Sequence, residues 1–484
     1  MSGLRVLAEP ILAEPAQLLP ARQQMAFTLM FHIFFVPLGV ALPSLMLIAN
    51  FKGLRGNDAV ALTLARRWSH VAALTFAVGA VSGTVLSFEM GLLWPGLTGR
   101  FGDVFGIPFA MEGIAFFLEA ILIAIYVYGW RRLKPWTHFW FGLPIPFVSI
   151  AGSFSIIAAN SWMNTPSGFT IASDGSITNI DPGAAIFTKA LPYEFTHFLL
   201  AAYMAAGFTV ASVYVVGWLR GRRDRYHRLG ILIPLTVAAI ATPLQLGAGD
   251  AAAVGVFNDQ PAKFAAMEVV TESGAHQPEI LFGWYDSETN TVRGGVSIPG
   301  LDSWLAGGST DTYVTGLVEI PVDQRPSNVT VVHWAFDVMV SIGTLLMLLV
   351  VWFAIAYWRR RDVPRSRLFL WAAASAGVLT YVAVEAGWIV TEVGRQPWVV
   401  YGHLRTEDAV TQADGIWVSF TIIVVLYTIV GVATVLALRA MSRRWRRDDE
   451  TPDDAAPYGP RPAVPPDLEP MPGCGPAGAE EAVR

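Results

Sequence analysis

The residues of this chain that could carry chemistry lie inside long apolar segments. Glu385 and Glu392 belong to the run TYVAVEAGWIVTEVGRQPWVV at 380–400, and His32 and His197 belong to two other apolar runs. A charged or ionisable side chain inside a membrane is costly, so each such residue is a functional-site hypothesis by default. The acids and histidines therefore predict a site that is built between membrane helices.

The composition indicates an integral membrane protein that crosses the bilayer many times. Of the 484 residues, 54% are hydrophobic and only 15% are charged, whereas soluble domains average about 25% charged residues. The single cysteine, Cys474, lies in a polar C-terminal stretch. We therefore expect no internal disulfide, no Cys-ligated zinc and no Cys-ligated iron–sulfur cluster.

Nine apolar segments are long enough to cross a bilayer, because about 20 helical residues span its hydrocarbon core. The sequence predicts helices at 24–49, 68–94, 107–130, 138–163, 188–218, 228–250, 329–357, 367–392 and 412–439. The connections after the first, third, fifth, seventh and ninth helices are rich in Arg and Lys, and the alternate connections are poor in them. Basic loops stay in the cytoplasm. We therefore expect an all-α membrane protein whose N-terminus is outside and whose C-terminus is cytoplasmic.

These helices divide the chain into five parts. Residues 1–23 are predicted to form an extracytoplasmic segment, followed by helices 1–6 within 24–250. Residues 251–328 form a long extracytoplasmic loop, and loops of this length are usually functional or disordered. Helices 7–9 follow within 329–440. Residues 441–484, rich in Pro and acidic residues, predict a disordered cytoplasmic tail.

Five potential metal ligands lie at one depth when the helices are counted at about 1.5 Å per residue. They are His32, His197, Met339, Glu112 and Glu392. All five fall in the outer third of the membrane on five different helices. Imidazole, thioether and carboxylate groups without a thiolate suit haem iron, and His/Met ligation raises the potential of a haem.

Each of these residues also has a structural interpretation. A lone membrane histidine is often a helix–helix hydrogen-bonding group, and a buried Met339 often only fills the core. Glu392 and Arg395 could form a simple interfacial ion pair. Glu112 and Glu119, seven residues apart, share a helix face. Stacked acids of this kind are typical of proton paths or ion sites, which would not explain Met339.

Several strings resemble subunit I of the cytochrome bd-type quinol oxidases over nearly the whole chain. They are MFHIFFVPLGVAL around His32, FEMGLLWPG at 88–96, FGDVFGIPFAMEGIAFFLEA at 101–120, ANSWMNTP at 159–166, FTHFLLAAY around His197, QPAKFAAMEV at 260–269 and VEAGWIVTEVGRQPW at 384–398. The last string, together with the acids of the third, is highly specific. The resemblance also identifies the long loop as the family's quinol loop.

The resemblance implies three haems, b558, b595 and d, in this subunit. His197 and Met339, in FTHF and WAFDVM, resemble the axial pair of haem b558. His32 resembles the axial ligand of one high-spin haem and Glu392 the carboxylate ligand of another, while Glu112 would lie at the dioxygen-binding haem d. The resemblance leaves open which high-spin site holds haem d and whether that haem is a third haem b.

Further site residues follow from the same resemblance. Glu119 and Glu89 match acids of the proton supply and the haem environment. Arg395 and Trp388 resemble a haem-propionate partner and a haem-packing residue. The remaining two matches, Lys263 and Glu268, correspond to the pair associated with quinol oxidation.

The implied function is that of a haem-containing quinol:oxygen oxidoreductase in a bacterial cell (inner) membrane. Such a chain would oxidise ubiquinol or menaquinol outside, reduce dioxygen to water and build a proton gradient without a pump. The implied partners are subunit II and a small single-helix subunit, with no nucleic acid. Two alternatives stay open: a bd-like b-haem electron-transfer or sensing subunit lacking haem d, and an ion-coupled transporter.

One position departs from the family pattern. Family members commonly carry a basic residue two positions before the ligand methionine, whereas this chain has Asp337. An anion near a haem would stabilise the ferric state and lower the potential. His333, four residues earlier on the same helix face, is a candidate partner for this acid.

Overall fold

The structure, a computed structural model, describes residues 15–448 and residue 458. Within this part of the chain, nine helical segments are long and apolar enough to cross a membrane, as predicted. They are α1 (Leu18–Ile33) with α2 (Val36–Gly56), α3 (Ala59–Leu93), α4 (Pro95–Gly129), α5 (Pro135–Gly142) with α6 (Pro144–Asn164), α8 (Leu191–Leu219), α9 (Arg225–Asp259), α12 (Val329–Arg360), α13 (Arg367–Gly394) and α15 (Ile416–Asp448).

Two of the nine segments are interrupted near prolines. Pro37 and Pro144 stand in the first turns of α2 and α6, where the missing N–H group of proline costs nothing. At the first interruption, the N–H of Phe35 donates to the carbonyl of His32 at 2.9 Å, which tightens the last turn of α1. His32 therefore lies next to a break in its helix.

The helices extend beyond the limits that hydropathy predicts. Helix α1 begins at Leu18 rather than at 24, α9 continues to Asp259 rather than ending at 250, and α15 continues to Asp448 rather than ending near 440. An apolar run measures only the part of a helix inside about 30 Å of hydrocarbon. The backbone hydrogen bonds continue into polar surroundings, so the segments predicted at 1–23, 251–328 and 441–484 are each shorter.

Some predicted features fall outside the described residues. Residues 1–14, 449–457 and 459–484, which include Cys474 and nearly all of the predicted tail, belong to this group.

Four helices, α8, α9, α12 and α13, form a bundle that carries His197 and Met339. Helix α8 packs against α9 and α13, and α12 packs against the same two helices. Farther along α8 and α12, Phe208 and Leu346 belong to one buried apolar cluster that closes the bundle. The end of the bundle where α9 stops and α12 starts is called the loop end below.

The segment between α9 and α12 is folded against the loop end. It contains α10 (Pro261–Met267), β3 (Glu279–Leu281), β4 (Trp284–Asp286), β5 (Thr291–Arg293), β6 (Val296–Ile298) and α11 (Leu301–Gly307). Strand β3 pairs antiparallel with β6, and β4 pairs antiparallel with β5. Buried residues that include Phe264, Leu317, Val332 and Val390 join this segment to α12 and α13.

Smaller elements cover the same end of the bundle. They are β1 (Thr170–Ile171), β2 (Ile177–Thr178), α7 (Pro182–Ile186), β7 (Trp398–Val400), β8 (Leu404–Arg405) and α14 (Thr406–Ala409). The two hairpins pair β1 with β2 and β7 with β8.

Candidate functional site

His197 and Met339 face the four-helix bundle from α8 and α12, two helices that both pack against α9 and α13. Both residues lie nearer the loop end than the apolar cluster of Phe208 and Leu346. At Gly387 of α13, an added Cβ would lie 3.0 Å from the Met339 Sδ. The glycine therefore leaves the thioether the space it occupies.

Gln245 of α9 fixes the His197 ring. Its Nε2 lies 3.0 Å from the ring Nδ1 and 3.3 Å from the ring Nε2, while its Oε1 is buried without a hydrogen-bond partner in the described part of the chain. Amide oxygen and nitrogen are assigned from their hydrogen bonds. Turning this amide over pairs Oε1 with an Nδ1–H donor, so that the lone pair of the ring stays on Nε2.

Arg395 provides the clearest evidence that the site holds an anionic group. Its side chain is only 4% exposed, and its Nη2 donates to the Glu392 Oε2 at 2.6 Å. Its Nε and Nη1 have no partner among the described residues. A buried guanidinium with two unpaired donors is unstable unless an anion meets it. A haem propionate, a carboxylate that can accept from both donors, fits this requirement.

A chain of buried amides and half-buried carboxylates joins Glu392 to the loop. The Asn160 Nδ2 donates to the Glu392 Oε1 at 3.0 Å, and the Asn164 Nδ2 donates to the Asn160 Oδ1 at 3.2 Å. The same Asn164 Nδ2 donates to the Glu194 Oε1 at 2.8 Å. The Lys263 Nζ donates to the Asn164 Oδ1 at 3.3 Å. Hydrogen bonds thus run continuously from α10 to α13.

Sequence reasoning gave Asn160, Asn164 and Glu194 no role, although signals for them exist. The two asparagines are four residues apart, and Glu194 precedes His197 by three residues, so in each case the pair shares a helix face. A cavity of about 220 Å³ opens beside Asn164 at the loop end. Lys189 also lines this cavity.

His32 is held by α3. Its Nδ1 lies 3.0 Å from the Ser82 Oγ, which also donates to the Val78 carbonyl at 3.1 Å. Since the hydroxyl has one proton to give, it accepts from an Nδ1–H group and leaves the ring Nε2 free. An added Cβ at Gly83 would lie 2.9 Å from the His32 Cε1, so this glycine also makes room for the ring.

Glu89 of α3 is bound to the helix that carries His32. It accepts hydrogen bonds from the Gln24 Nε2 at 2.8 Å and the Thr28 Oγ1 at 3.0 Å, both on α1. Its second oxygen, Oε2, is buried without a partner in the described chain. The carboxyl group therefore connects α1 and α3 and keeps one oxygen available.

Helix α4 carries the other two predicted acids. Glu119 accepts from the Ser149 Oγ of α6 at 2.6 Å, and Glu112 lies half-buried seven residues earlier. Trp388 of α13 packs against Ile157 and Leu191, between α6 and α8. The structure thus distributes these three residues around the bundle instead of bringing them into one cluster.

The predicted pair of Lys263 and Glu268 faces two different environments. Lys263 contacts Asn164, and burial followed by the nearby Arg395 lowers the pKa of its amine to about 8. The Glu268 carboxylate lies against Glu279 and Asp302. Burial, and then the charges of these two acids, raise the pKa of Glu268. The spacing of five residues places the two side chains on different sides of α10.

Asp337 points toward the loop. Its Oδ2 accepts from the Phe282 N–H at 2.5 Å. The His333 Nε2 lies 3.3 Å from the same Oδ2. That nitrogen also accepts a hydrogen bond from the Gly283 N–H at 3.1 Å. The other ring nitrogen of His333, Nδ1, lies 2.7 Å from the Met267 carbonyl oxygen. An Nε2 that accepts a proton cannot also donate one. The hydrogen bond to the Asp337 Oδ2 therefore comes from the loop backbone, and the His333 ring lies beside it.

The family model described as cytochrome bd terminal oxidase subunit I matches residues 20–445. The chain belongs to this family. The match covers every predicted ligand, from His32 to Glu392. Membership in a cytochrome family implies haem. This agrees with His197 and Met339, whose side chains can bind iron, and with the unpaired N–H groups of Arg395.

Curated relatives of this subunit I match along most of their length. A putative cytochrome bd menaquinol oxidase subunit I of Bacillus subtilis (strain 168) is 33% identical over 444 residues, which cover 89% of this chain and 97% of that protein. A cytochrome bd ubiquinol oxidase subunit 1 of the same organism is 30% identical, with 90% and 95% covered. The cytochrome bd-II ubiquinol oxidase subunit 1 of Escherichia coli (strain K12) is 26% identical, with 87% and 96% covered.

A solved structure has the same fold as this subunit I. The bd oxidase of Geobacillus thermodenitrificans superimposes with a TM-score of 0.83 at 35% sequence identity, covering 89% of this chain and 99% of that one. The chain is thus an oxidoreductase subunit of the cytochrome bd class.

Proposed function

We propose that this chain is the haem-bearing subunit of a terminal oxidase that oxidises quinol on the extracytoplasmic side and reduces dioxygen to water. The observation that carries the proposal is Arg395, a buried guanidinium with two unpaired donors beside Glu392. It lies at one end of the hydrogen-bonded chain that begins at Lys263. A charged group is thus expected in the bundle, close to the loop that would receive quinol.

In this proposal, His197 and Met339 hold haem b558, and His32 and Glu392 each serve a high-spin haem. Glu112 would lie at the dioxygen site, where haem d and a third haem b stay as alternatives. The haems would supply one-electron transfer and dioxygen reduction, chemistry that belongs to the cofactor. The protein fixes ring orientation through Ser82 and Gln245.

The loop residues would handle the protons of quinol. Quinol oxidation releases two protons, so a base within hydrogen-bond reach is required, and Glu268 is the candidate. Lys263 lies at the start of the path to Glu392. Because the loop is predicted to face outside, these protons would leave outside and build a gradient without pumping.

The protons that dioxygen reduction consumes would come from the cytoplasm. Glu119 would be one polar step of that route, and the free Glu89 Oε2 would belong to the haem environment. Exposed apolar side chains such as Phe88, Leu92 and Phe117 on α3 and α4 suit contact with lipid or with subunit II. The proposed complex also contains a small single-helix subunit and lies in a bacterial cell membrane.

The second candidate function is a bd-like electron-transfer or sensing subunit that carries only b haems. The family match favours the oxidase over an ion-coupled transporter, because it covers the residues that a transporter leaves unexplained. Iron ligands do not specify which type of haem is bound. Spectroscopy is therefore needed to distinguish the second candidate from the oxidase. A chlorin band in dithionite-reduced membranes would support haem d.

The experiment measures oxygen uptake by the purified complex with a quinol and with an artificial electron donor. In Glu268→Gln, uptake driven by quinol should fall at least about a hundredfold, the low end of what loss of a general base costs. Uptake with the artificial donor should stay near the unsubstituted rate. Glu288→Gln, an exposed acid of the same loop, is the control. Equal loss with both donors would remove the base role of Glu268.

A further inference from the structure

Three buried carboxylates meet in the loop segment. Glu268, Glu279 and Asp302 each offer one oxygen atom, and these atoms all lie within 4.8 Å of one another. The residues are 5%, 6% and 0% exposed. A group of surface acids would be screened by water, but this one is enclosed by protein.

Three separate elements fix the positions of these acids. Glu268 follows α10, and its N–H donates to the Phe264 carbonyl at 3.0 Å. Glu279 begins β3 and is paired with Ile298 of β6. Asp302 lies in the first turn of α11, close behind β6 in the chain. The carboxylates therefore meet because the loop folds, and not because they are neighbours in sequence.

A second observation is that the oxygen atoms in this cluster lack partners. Four of them, the Glu268 Oε2, the Glu279 Oε2 and both oxygens of Asp302, accept no hydrogen bond from the described residues. Asp302 is entirely buried and lies within ligand distance of the other two. Buried carboxylates normally pair with a cation or with several donors, and leaving them unpaired costs several kcal/mol per group.

In the part of the chain that the structure describes, the surrounding side chains do not supply the missing positive charge. Lys263 of α10 is turned toward Asn164, and backbone groups contact both ring nitrogens of His333 on α12. The other charged group on the facing side of α12 is Asp337, which is a further acid. Among the described residues, these three acids therefore meet without a counter-ion.

We propose that Glu268, Glu279 and Asp302 bind one divalent cation of the hard, oxygen-preferring class, with Ca²⁺ as its best match. All three ligands are carboxylates, and Ca²⁺ takes oxygen ligands at about 2.3–2.6 Å. Oxygens on opposite sides of such an ion can be about 5 Å apart, so the observed spread fits within one coordination shell. Mg²⁺, with bonds of about 2.0–2.1 Å, allows a smaller spread.

The cation would tie α10, β3 and α11 into one unit at the loop end. It binds whether or not the loop oxidises quinol, so the site does not depend on the proposed function. Its effect would be to order the loop and to keep the Glu268 carboxylate in place.

The test measures calcium binding to the purified, chelator-treated oxidase complex by equilibrium dialysis with radioactive Ca²⁺. The wild-type complex should bind one saturable Ca²⁺ per subunit I. Asp302→Asn should weaken this binding at least about tenfold, because the charge count of the ligands sets the affinity. Asp311→Asn, an exposed acid of the same loop, should bind Ca²⁺ as the wild type does.

Two further measurements keep the result decisive. An unchanged haem spectrum would show that Asp302→Asn is folded, and Glu279→Gln provides a second variant if it is not. Unfolding of the wild-type complex should shift to higher temperature when Ca²⁺ is added, and less so with Mg²⁺. If the wild type binds no Ca²⁺, or binds it no better than both variants, the cluster shares protons instead and the proposal is wrong. Quinol oxidation could still be intact in that case, so the two proposals fail separately.

Discussion

At the scale of single residues, three of the side chains proposed to hold iron have a polar neighbour that fixes them. Ser82 binds the His32 ring, Gln245 lies against His197, and Arg395 pairs with Glu392. Partners of this kind set the tautomer and orientation of a metal ligand. The buried, unpaired donors of Arg395 would in the same way hold a negatively charged group of the cofactor.

The ligand role of Met339 is tested by replacing its sulfur with carbon. Met339→Leu keeps the volume but removes the thioether, so the reduced low-spin haem b558 band should be lost or shifted in assembled protein. Met347→Leu makes the same change two turns farther along α12 and should leave the spectrum unchanged. A normal b558 band in Met339→Leu would contradict the assignment.

Asn164 is predicted to couple the loop to the haem region. Its side chain contacts Lys263, Glu194 and Asn160, so Asn164→Leu leaves buried polar groups unpaired at a cost of about 1–3 kcal/mol each. Quinol-dependent oxygen uptake should fall, and the thermal unfolding temperature should drop. Asn258→Leu is the control, since that exposed residue caps only its own helix backbone. Unchanged turnover in folded Asn164→Leu would show that the hydrogen-bonded chain is structural only.

At the scale of elements, hydropathy predicts the nine membrane helices well because a bilayer requires long apolar runs with satisfied backbones. Contacts between distant segments are less accessible to sequence reasoning. Glu279 and Asp302 meet only because β3 pairs with β6, and no local pattern shows this. Lys263 and Glu268 match one family string, yet they face different clusters. The roles of the haem ligands rest on the resemblance and stay predictions.

Close packing of α13 on α12 is predicted to matter for the Met339 ligand. In Gly387→Ala, the new Cβ would lie 3.0 Å from the Met339 Sδ, so the thioether must move. The midpoint potential of haem b558 should fall, because a weakened thioether stabilises the reduced iron less. Redox titration of the purified complex measures this change.

Gly343→Ala is the matched control for that substitution. An added Cβ there meets nothing within 4 Å, and alanine in a helix interior is more stable than glycine by about 0.5–1 kcal/mol. The control should therefore keep the potential of the unsubstituted protein and be at least as stable. If both variants titrate like the unsubstituted protein, Gly387 is not needed to position the ligand.

At the scale of the whole molecule, the direction of the chain decides where protons are released. The arginine-rich connections and the C-terminal end of α15 are predicted to be cytoplasmic, which puts the quinol loop outside. The sequence has one cysteine, Cys474, so Cys474→Ser gives a cysteine-free background. In that background, Val322→Cys marks the exposed loop and Ser442→Cys marks the exposed end of α15.

A membrane-impermeant maleimide should label Val322→Cys in intact cells and should label Ser442→Cys only after the membrane is opened. Retained quinol oxidase activity in both variants shows that they are folded. The same orientation predicts that quinol oxidation by intact cells acidifies the medium, because the protons leave on the side of the loop. Labelling of Ser442→Cys in intact cells, with Val322→Cys protected, would reverse the orientation. Protons would then be released inside, and oxidation at this loop could not build the proposed gradient.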